Sequence, residues 1–187
     1  ENIGGTTEQT VQIDYMHPFK KINVEAGVKA IFRDNNSDFQ FLSANPSGVF
    51  VVDPLRTNIF DNRQNVYAFY NTYQFNLKDW GFKAGIRAEQ TEIAANFVGL
   101  NTSLSNNSFN LTPSISVMRK FKNMSSINFG FTTRIQRPGI YQLNPFVDRS
   151  NPNFESSGNP NLVPTVGNSF EINYSSFKKL NLNISAR

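Results

Sequence analysis

Asp34, Asn36 and Asp38 place three oxygen-bearing side chains at alternate positions in DNNSD, the spacing that opens a calcium-binding loop. The sixth position of such a loop falls on Phe39 where glycine is required, and the twelfth on Asn45 where glutamate is required. A solvated loop turn therefore accounts for these residues better than a metal site, and no other metal site suggests itself. Glu89 and Glu92 can be read as two carboxylates facing one another near a rim, but without a pocket they are lumen or surface charges and not an acid/base pair. His17 is the single histidine and has no assignable serine or carboxylate partner, which favours an interfacial role. Ser175 and Lys178 repeat the Ser-x-x-Lys spacing of some serine enzymes, without the helix those enzymes use. The chain has no cysteine, which removes disulfides, zinc thiolates and cysteine nucleophiles. No catalytic residue and no cofactor is assigned, and the chain is read as a non-enzyme.

The elements that carry these residues are strands. Of 187 residues, 39% are hydrophobic, 17% are charged and 18 are phenylalanine. Together with abundant Asn, Ser and Thr, that balance favours strands and turns over helices. Apolar side chains recur with period two at Val11, Ile13 and Tyr15, at Ile22 through Phe32, and along residues 64–75. The pattern returns at Trp80, Phe82, Ala84, Ile86 and Ala88, at Phe109 through Val117, and at Ile127 through Ile135. It closes with Phe170, Ile172 and Tyr174 and then Leu180, Leu182, Ile184 and Ala186. Each segment has one dry and one wet face, which predicts an all-β antiparallel up-and-down meander of about eight strands in a single segment spanning 1–187. No apolar run is long enough for a membrane helix, but alternating strands hide a membrane barrel from window averages.

Connection lengths sort by parity. Short ones are expected at residues 18–21, 77–79, 120–123 and 178–179, and long ones at 34–62, 92–108 and 137–167. Tight turns at one rim and long loops at the other are the asymmetry of outer-membrane barrels. Tyr15, Phe19, Tyr73, Phe75, Trp80, Phe121, Tyr174 and Phe177 fall beside the short turns, as an interfacial aromatic girdle requires. Glu25, Lys29, Arg33, Lys83, Arg87, Glu89, Arg134 and Gln136 lie on the faces opposite the apolar ones and are the candidate lumen lining. A net charge of +4 from scattered Lys and Arg argues against nucleic-acid binding. Asn-x-Ser/Thr triplets such as 101–103 and 123–125 follow from the Asn/Ser-rich composition.

The long stretch RIQRPGIYQLNPFVDRSNPNFESSGNPNLVP, followed by NSFEINYS, resembles the Bacteroidetes-type outer-membrane β-barrel family of TonB-dependent receptors. The matching positions are Arg134, Arg137, Pro138, Leu143, Asn144, Pro145, Phe146, Gly158, Asn159, Pro160, Leu162, Pro164 and Glu171. NVYAFYNTYQF and WGFKAGIRAEQT also look like the strands that precede that motif, so the resemblance runs from about Thr7 onward. It implies a bacterial outer-membrane location and energy-coupled uptake of a scarce nutrient such as a siderophore or glycan. Lipid, a plug domain, the TonB system and the nutrient would be the partners. Neither plug nor energy-coupling box is found in the chain, and Arg187 is not the aromatic end of a terminal strand. The expectation is an excised sector, about a third of a family barrel of about 22 strands. Such a sector either curls into a small closed barrel or stays open, with edges free for self-association.

Two further expectations follow. Tyr141, Phe146, Arg149 and Phe154 are the candidate ligand contacts in the long loop, which the prolines and Leu143, Phe146 and Leu162 are expected to order. The competing architecture is a soluble ligand- or carbohydrate-binding β-barrel or sandwich, in which the dry faces, Trp80 and the phenylalanines converge on one core. A surface adhesion component built on the same sheet is the third class.

Overall fold

The structure, a computed structural model, describes residues 2–54, 56–149, 153–176 and 180–186. The Ser175/Lys178 pair, Phe177 and the turn at 178–179 therefore fall wholly or partly outside the described residues. Among the described residues ten strands form, in the order β1 Asn2–Phe19, β2 Ile22–Phe39, β3 Leu42–Ala44, β4 Phe50–Val52, β5 Asn58–Leu77, β6 Trp80–Phe97, β7 Thr102–Lys120, β8 Ser126–Gln136, β9 Thr165–Ser175 and β10 Asn181–Ala186. A single helical turn, α1, spans Ile140–Leu143. Eight strands make one antiparallel sheet in the order β1-β2-β5-β6-β7-β8-β9-β10, and β3 and β4 form a separate hairpin. The meander is thus as expected. It is an open sheet, with β1 and β10 at its edges, and not a small closed barrel.

The register aligns the apolar positions into one belt. Ile13, Val28, Phe69, Ala88 and Leu111 lie in a continuous cross-strand row, and Ile115, Phe131 and Phe170 form another. This outer face is open: Ile13 is 65% exposed and Phe69 51%. No second layer covers it among the described residues, so the dry faces do not converge on a core and the sandwich architecture is ruled out. On β5 the belt runs from Tyr67 to Leu77. About ten steps of ~3.4 Å at a tilt of about 40° rise roughly 26 Å, the height of a hydrocarbon core crossed by a barrel wall.

Two of the expected long loops are largely strand. The connection expected at 92–108 shrinks to the 3-10 turn Val98–Leu100 and Asn101, because β6 and β7 continue past the belt in unbroken register from Trp80↔Arg119 to Phe97↔Thr102. The connection expected at 34–62 shrinks to residues 40–57, which carry the β3–β4 hairpin. The cause lies in side-chain placement. Beyond the belt the outer face carries Asn65, Arg63, Asp61, Glu92, Asn96, Asn107 and Ser105, so the period-two contrast that marks the lower strands is replaced by another. The ladder itself is indifferent to this change, since backbone pairing continues wherever water or protein solvates the flanking side chains.

The third long connection is real. β7 pairs with β8 only from Ser114↔Thr132 to Lys120↔Ser126. Pro113 has no N–H to donate, so the ladder stops there. From Thr133 to Gln136 strand β8 pairs with β9 alone, and the chain leaves it at Arg137. The loop that follows covers the other face of the sheet, here called the inner face. Ile140 packs on the buried cluster Phe60, Ala95 and Phe97, together with Leu104.

Candidate functional site

All eight polar residues expected on the wet face share the inner face. Lys29 and Glu89 flank Ala68 in one row, Lys83 lies opposite Gln74, and Glu25 opposite Thr72. Arg134 and Gln136 line an open cleft of about 330 Å3 with Ser169 and Glu171. Higher on the sheet the charges are paired. Arg33 donates to Glu8 through Nε at 2.8 Å and to Gln64 through Nη1 at 2.8 Å. Arg87 reaches Glu89 through Nη2 at 2.8 Å and Nε at 3.1 Å.

Glu89 is 3% exposed and is the hub of this region. Arg137, the first residue after β8, crosses to β6, forms an ion pair with Glu89 and donates from Nε to Thr91 Oγ1 at 3.2 Å. Burial first, and then repulsion from Arg87 and Arg33, lowers the Arg137 pKa from its ordinary value. It remains a cation, and the single carboxylate of Glu89 lies against both guanidiniums. Glu92 lies three positions along the same strand, on the outer face. The two carboxylates therefore point to opposite faces and do not face one another at the rim.

Below the arginines, Tyr70 lies across Gly27 and its hydroxyl donates to Asp14. A Cβ at Gly27 would meet the Tyr70 ring at 2.4 Å, so only glycine leaves room for a side chain that ties β5 to β1 over β2. Gln12 Nε2 donates to both, to Asp14 at 2.8 Å and to Tyr70 at 3.1 Å. The Arg87 guanidinium lies 5.9 Å from the centre of the same ring.

The rim loop closes on itself. Gly158 N–H donates to the Asn144 carbonyl at 2.8 Å, and Asn159 N–H to that of Gln142 at 2.7 Å. Asp148 and Ser156 exchange two backbone hydrogen bonds. A Cβ on Gly158 would stand 2.5 Å from the Gln142 carbonyl oxygen, which gives the Gly-Asn-Pro motif a physical reason. Leu143 and Asn144 are buried, and Asn144 Oδ1 accepts from Phe146 N–H at 3.0 Å. The loop is thus a built clasp in which Leu143 is buried and Phe146 half-buried, whereas Leu162, the third expected anchor, is exposed.

Between this clasp and the upper ends of β2 and β5 lies a cavity of about 510 Å3. Tyr141 and Phe146 line it with Phe39, Phe60 and Asn58. Arg149 and Phe154, the other two loop candidates, stand outside it. Arg149 pairs with Glu155 at 2.7 Å, and Phe154 is 64% exposed. Sequence reading missed Phe39, Asn58 and Phe60 because they sit in stretches taken for loop.

The calcium candidates do not curl into a loop. Asp34, Asn36 and Asp38 extend along β2 on its outer face, where Asp34 accepts from Arg63 Nε at 3.0 Å and Asp38 from Gln40 at 3.1 Å. Asn45, the expected twelfth ligand, caps the β3–β4 turn by accepting from Ser47 and Val49 N–H, each at 3.0 Å. Among the described residues no cluster of three or more His, Asp or Glu side chains has metal-binding geometry. Asn123, in one of the Asn-x-Ser triplets, also serves a turn and accepts from Ser125 N–H and Oγ. At the short-turn rim His17 stacks on Tyr15, with ring centres 6.0 Å apart, and meets Phe19 at a tilt, 4.3 Å away. Phe82 stacks on Phe75 at 4.9 Å, and Arg119 covers Trp80 and Phe121 at 5.0 and 5.2 Å, so rings gather at the short-turn rim with a cation over two of them.

Comparison with known proteins agrees with this geometry. The outer membrane protein beta-barrel family matches residues 1–187. No curated protein matches the sequence. Among solved structures, the siderophore receptor PiuA from Acinetobacter baumannii is similar over 98% of this chain and 31% of its own, at 15% identity and a TM-score of 0.69. The alcaligin outer membrane receptor FauA from Bordetella pertussis is similar over 98% and 29%, at 14% identity and a TM-score of 0.62. The ferric citrate transporter FecA in its unliganded form is similar over 98% and 27%, at 11% identity and a TM-score of 0.62. The chain spans about 30% of the length of these structures, whose likeness is one of fold.

Proposed function

Since the chain belongs to the outer membrane protein beta-barrel family, and so to the bacterial outer membrane, we propose that it is one segment of the wall of a TonB-dependent receptor of the Bacteroidetes type. That receptor imports a scarce nutrient, siderophore or glycan, by energy-coupled gating. The observation that carries the reading is the way β8 ends. At Pro113 the wall lets β8 go, and the chain turns inward so that Arg137 locks the root of a built loop onto Glu89 of β6. A passive structural wall has no use for a loop folded over its own inner face, whereas a receptor needs one to meet its ligand.

In this reading the belt contacts lipid and the upper strands stand in external water. Glu25, Lys29, Arg33, Lys83, Arg87, Glu89, Arg134 and Gln136 line the lumen against a plug domain contributed by the rest of the receptor. Tyr141, Phe146, Arg149 and Phe154 meet the nutrient at the rim. No covalent chemistry is assigned to any residue. The family motif residues Gly158 and Leu143, which build the clasp, and the likeness to siderophore receptors support the reading.

The test is physical and needs no knowledge of the nutrient. The intact receptor, purified in detergent, is expected to bind the periplasmic domain of its host's TonB protein. A receptor that folds, fractionates with the outer membrane and shows no such binding would overturn energy coupling.

A further inference from the structure

Building on the receptor reading, which turns the short-turn rim toward the periplasm, we propose that this rim is a docking collar for the phosphate headgroups of anionic phospholipid. Basic residues scattered along the sequence gather there. Lys20 and Lys21 form the β1–β2 turn, Lys78 opens the β5–β6 turn, and Arg119, Lys120 and Lys122 lie at the end of β7 and in the turn after it. All six are exposed. Asp79 is the single carboxylate in these three turns, and among the described residues none of the six cations enters a salt bridge. The far end of the outer face has the reverse sign. On β2, β5 and β6 it carries Asp34, Asp38, Asp61 and Glu92, with Arg63 alone opposite in sign.

The backbone shows that these turns hold lysine at a cost. Lys20 and Lys78 have φ of 45° and 52°. Each is the first residue of a two-residue hairpin turn, where a positive φ makes glycine the usual occupant. A side chain is strained at such a position, yet both turns place a cation there. The lysines follow directly on Phe19, Ile22 and Leu77, the last apolar residues of their strands. Bilayer phosphates lie just outside the hydrocarbon core, within reach of lysine stems laid along the wall. Arg119, over Trp80 and Phe121, holds its charge at the same level. Successive turns stand two strand spacings apart, about 10 Å, too far to share one phosphate. The collar therefore suits a row of headgroups and not a single anion.

The experiment places the intact receptor in vesicles of equal parts phosphatidylglycerol and phosphatidylcholine, extracts it, and measures the retained lipid by native mass spectrometry. Enrichment in phosphatidylglycerol is expected, declining as salt rises. It should fall roughly five-fold for each lysine removed in the double variant Lys20→Gly, Lys78→Gly. The same glycines relieve the strain, so the unfolding midpoint in phosphatidylcholine alone should not drop and misfolding cannot explain the loss. Lys20→Arg with Lys78→Arg should keep the enrichment, as should Arg63→Gln at the far end. The inference is overturned if both lipids are retained equally, if the glycine pair leaves the enrichment unchanged, or if Arg63→Gln abolishes it to the same extent. Displacement of phosphatidylglycerol by inorganic phosphate at constant ionic strength would overturn it too, by making the rim a site for free anions. Equal retention with TonB binding intact refutes the collar alone, and selective retention without TonB binding refutes energy coupling alone.

Discussion

The lower and upper halves of the same strands obey opposite rules. On β6, Trp80, Phe82, Ala84, Ile86 and Ala88 turn their apolar side chains outward, and Lys83, Arg87 and Glu89 face inward. From Thr91 onward the phase inverts: Ile93, Ala95 and Phe97 are buried on the inner face, and Glu92 and Asn96 face out. The ladder runs through without a bulge, so the backbone is blind to the change. What changes is the solvent on each side. In the proposed receptor, lipid lies outside and water inside below; above, water lies outside and the clasp covers the inside. The boundary is marked by the paired charges, Glu8 with Arg33 and Glu89 with Arg87 and Arg137. A strand that crosses from one regime to the other must shift its apolar residues by one position, and IRAEQTEIAANF does so between Ala88 and Ile93.

The strongest way to break this comparison is to delete apolar bulk on each side of the boundary. Phe97→Ala removes a side chain 1% exposed from the cluster beneath α1 and should cost about 3–5 kcal/mol. Phe69→Ala, in the belt, removes a ring that lipid can replace and should cost clearly less. Urea unfolding of the receptor in phospholipid vesicles gives both values, and equal costs would deny that the two faces have different surroundings. Charge insertion probes the outer face in the same way. Ile86→Lys places an ammonium at the middle of the belt and should cost about 2–4 kcal/mol. Asn96→Lys, on the same face of the same strand, should stay within about 0.5 kcal/mol, because water already lies there.

Much of the lower regime was legible from the sequence because it depends on one contrast, dry against wet at period two. Val11 to Tyr15, Ile22 to Phe32 and Trp80 to Ala88 state it plainly, and the aromatic rings at the turn rim mark where it ends. The upper regime was misread as loop because its outer face is Asn, Ser, Asp and Glu. The signal was nonetheless present in the inverted alternation of Ile93, Ala95 and Phe97 with Glu92, Ala94 and Asn96. The clasp residues Leu143 and Gly158 were found through family resemblance, while their contacts depend on chain closure that no local pattern encodes. The Arg137–Glu89 pair is of the same kind: it joins the residue just past β8 to one on β6, a strand that is not its neighbour, and only the release of β8 at Pro113 brings them together.

Two glycines compare the clasp with the open wall beside it. Gly158→Ala would drive a methyl to within 2.5 Å of one backbone carbonyl oxygen and 2.7 Å of another, neither of which can swing away as a side chain would. Opening the clasp should cost about 1–3 kcal/mol. Gly167, just after the loop in β9, has nothing within 4 Å of the same atom, and Gly167→Ala should be neutral or stabilising by a few tenths of a kcal/mol. Limited proteolysis within residues 137–164 reads the difference locally: cleavage accelerates in the first variant and is unchanged in the second. Equal protection in both would mean that the clasp does not hold the loop.

The smallest effect belongs to the outer face of the upper half, where charges stand in water. Asp34 and Arg63 form an ion pair at 3.0 Å with both side chains well exposed, at 60% and 70%. Water screens such a pair and ordering two side chains opposes it, so Asp34→Asn should cost no more than about 0.2–1 kcal/mol and less in high salt. The same residue tests the metal alternative. Three oxygen-bearing side chains spaced along one face of an extended strand do not converge, and calcium coordination requires six to eight converging oxygens. Millimolar calcium should therefore leave the unfolding midpoint of both the native protein and the Asp34→Asn variant where it was. A calcium-dependent rise lost in the variant would mean that β2 ends before Asp34 when the ion is bound, and that the upper wall is a loop after all.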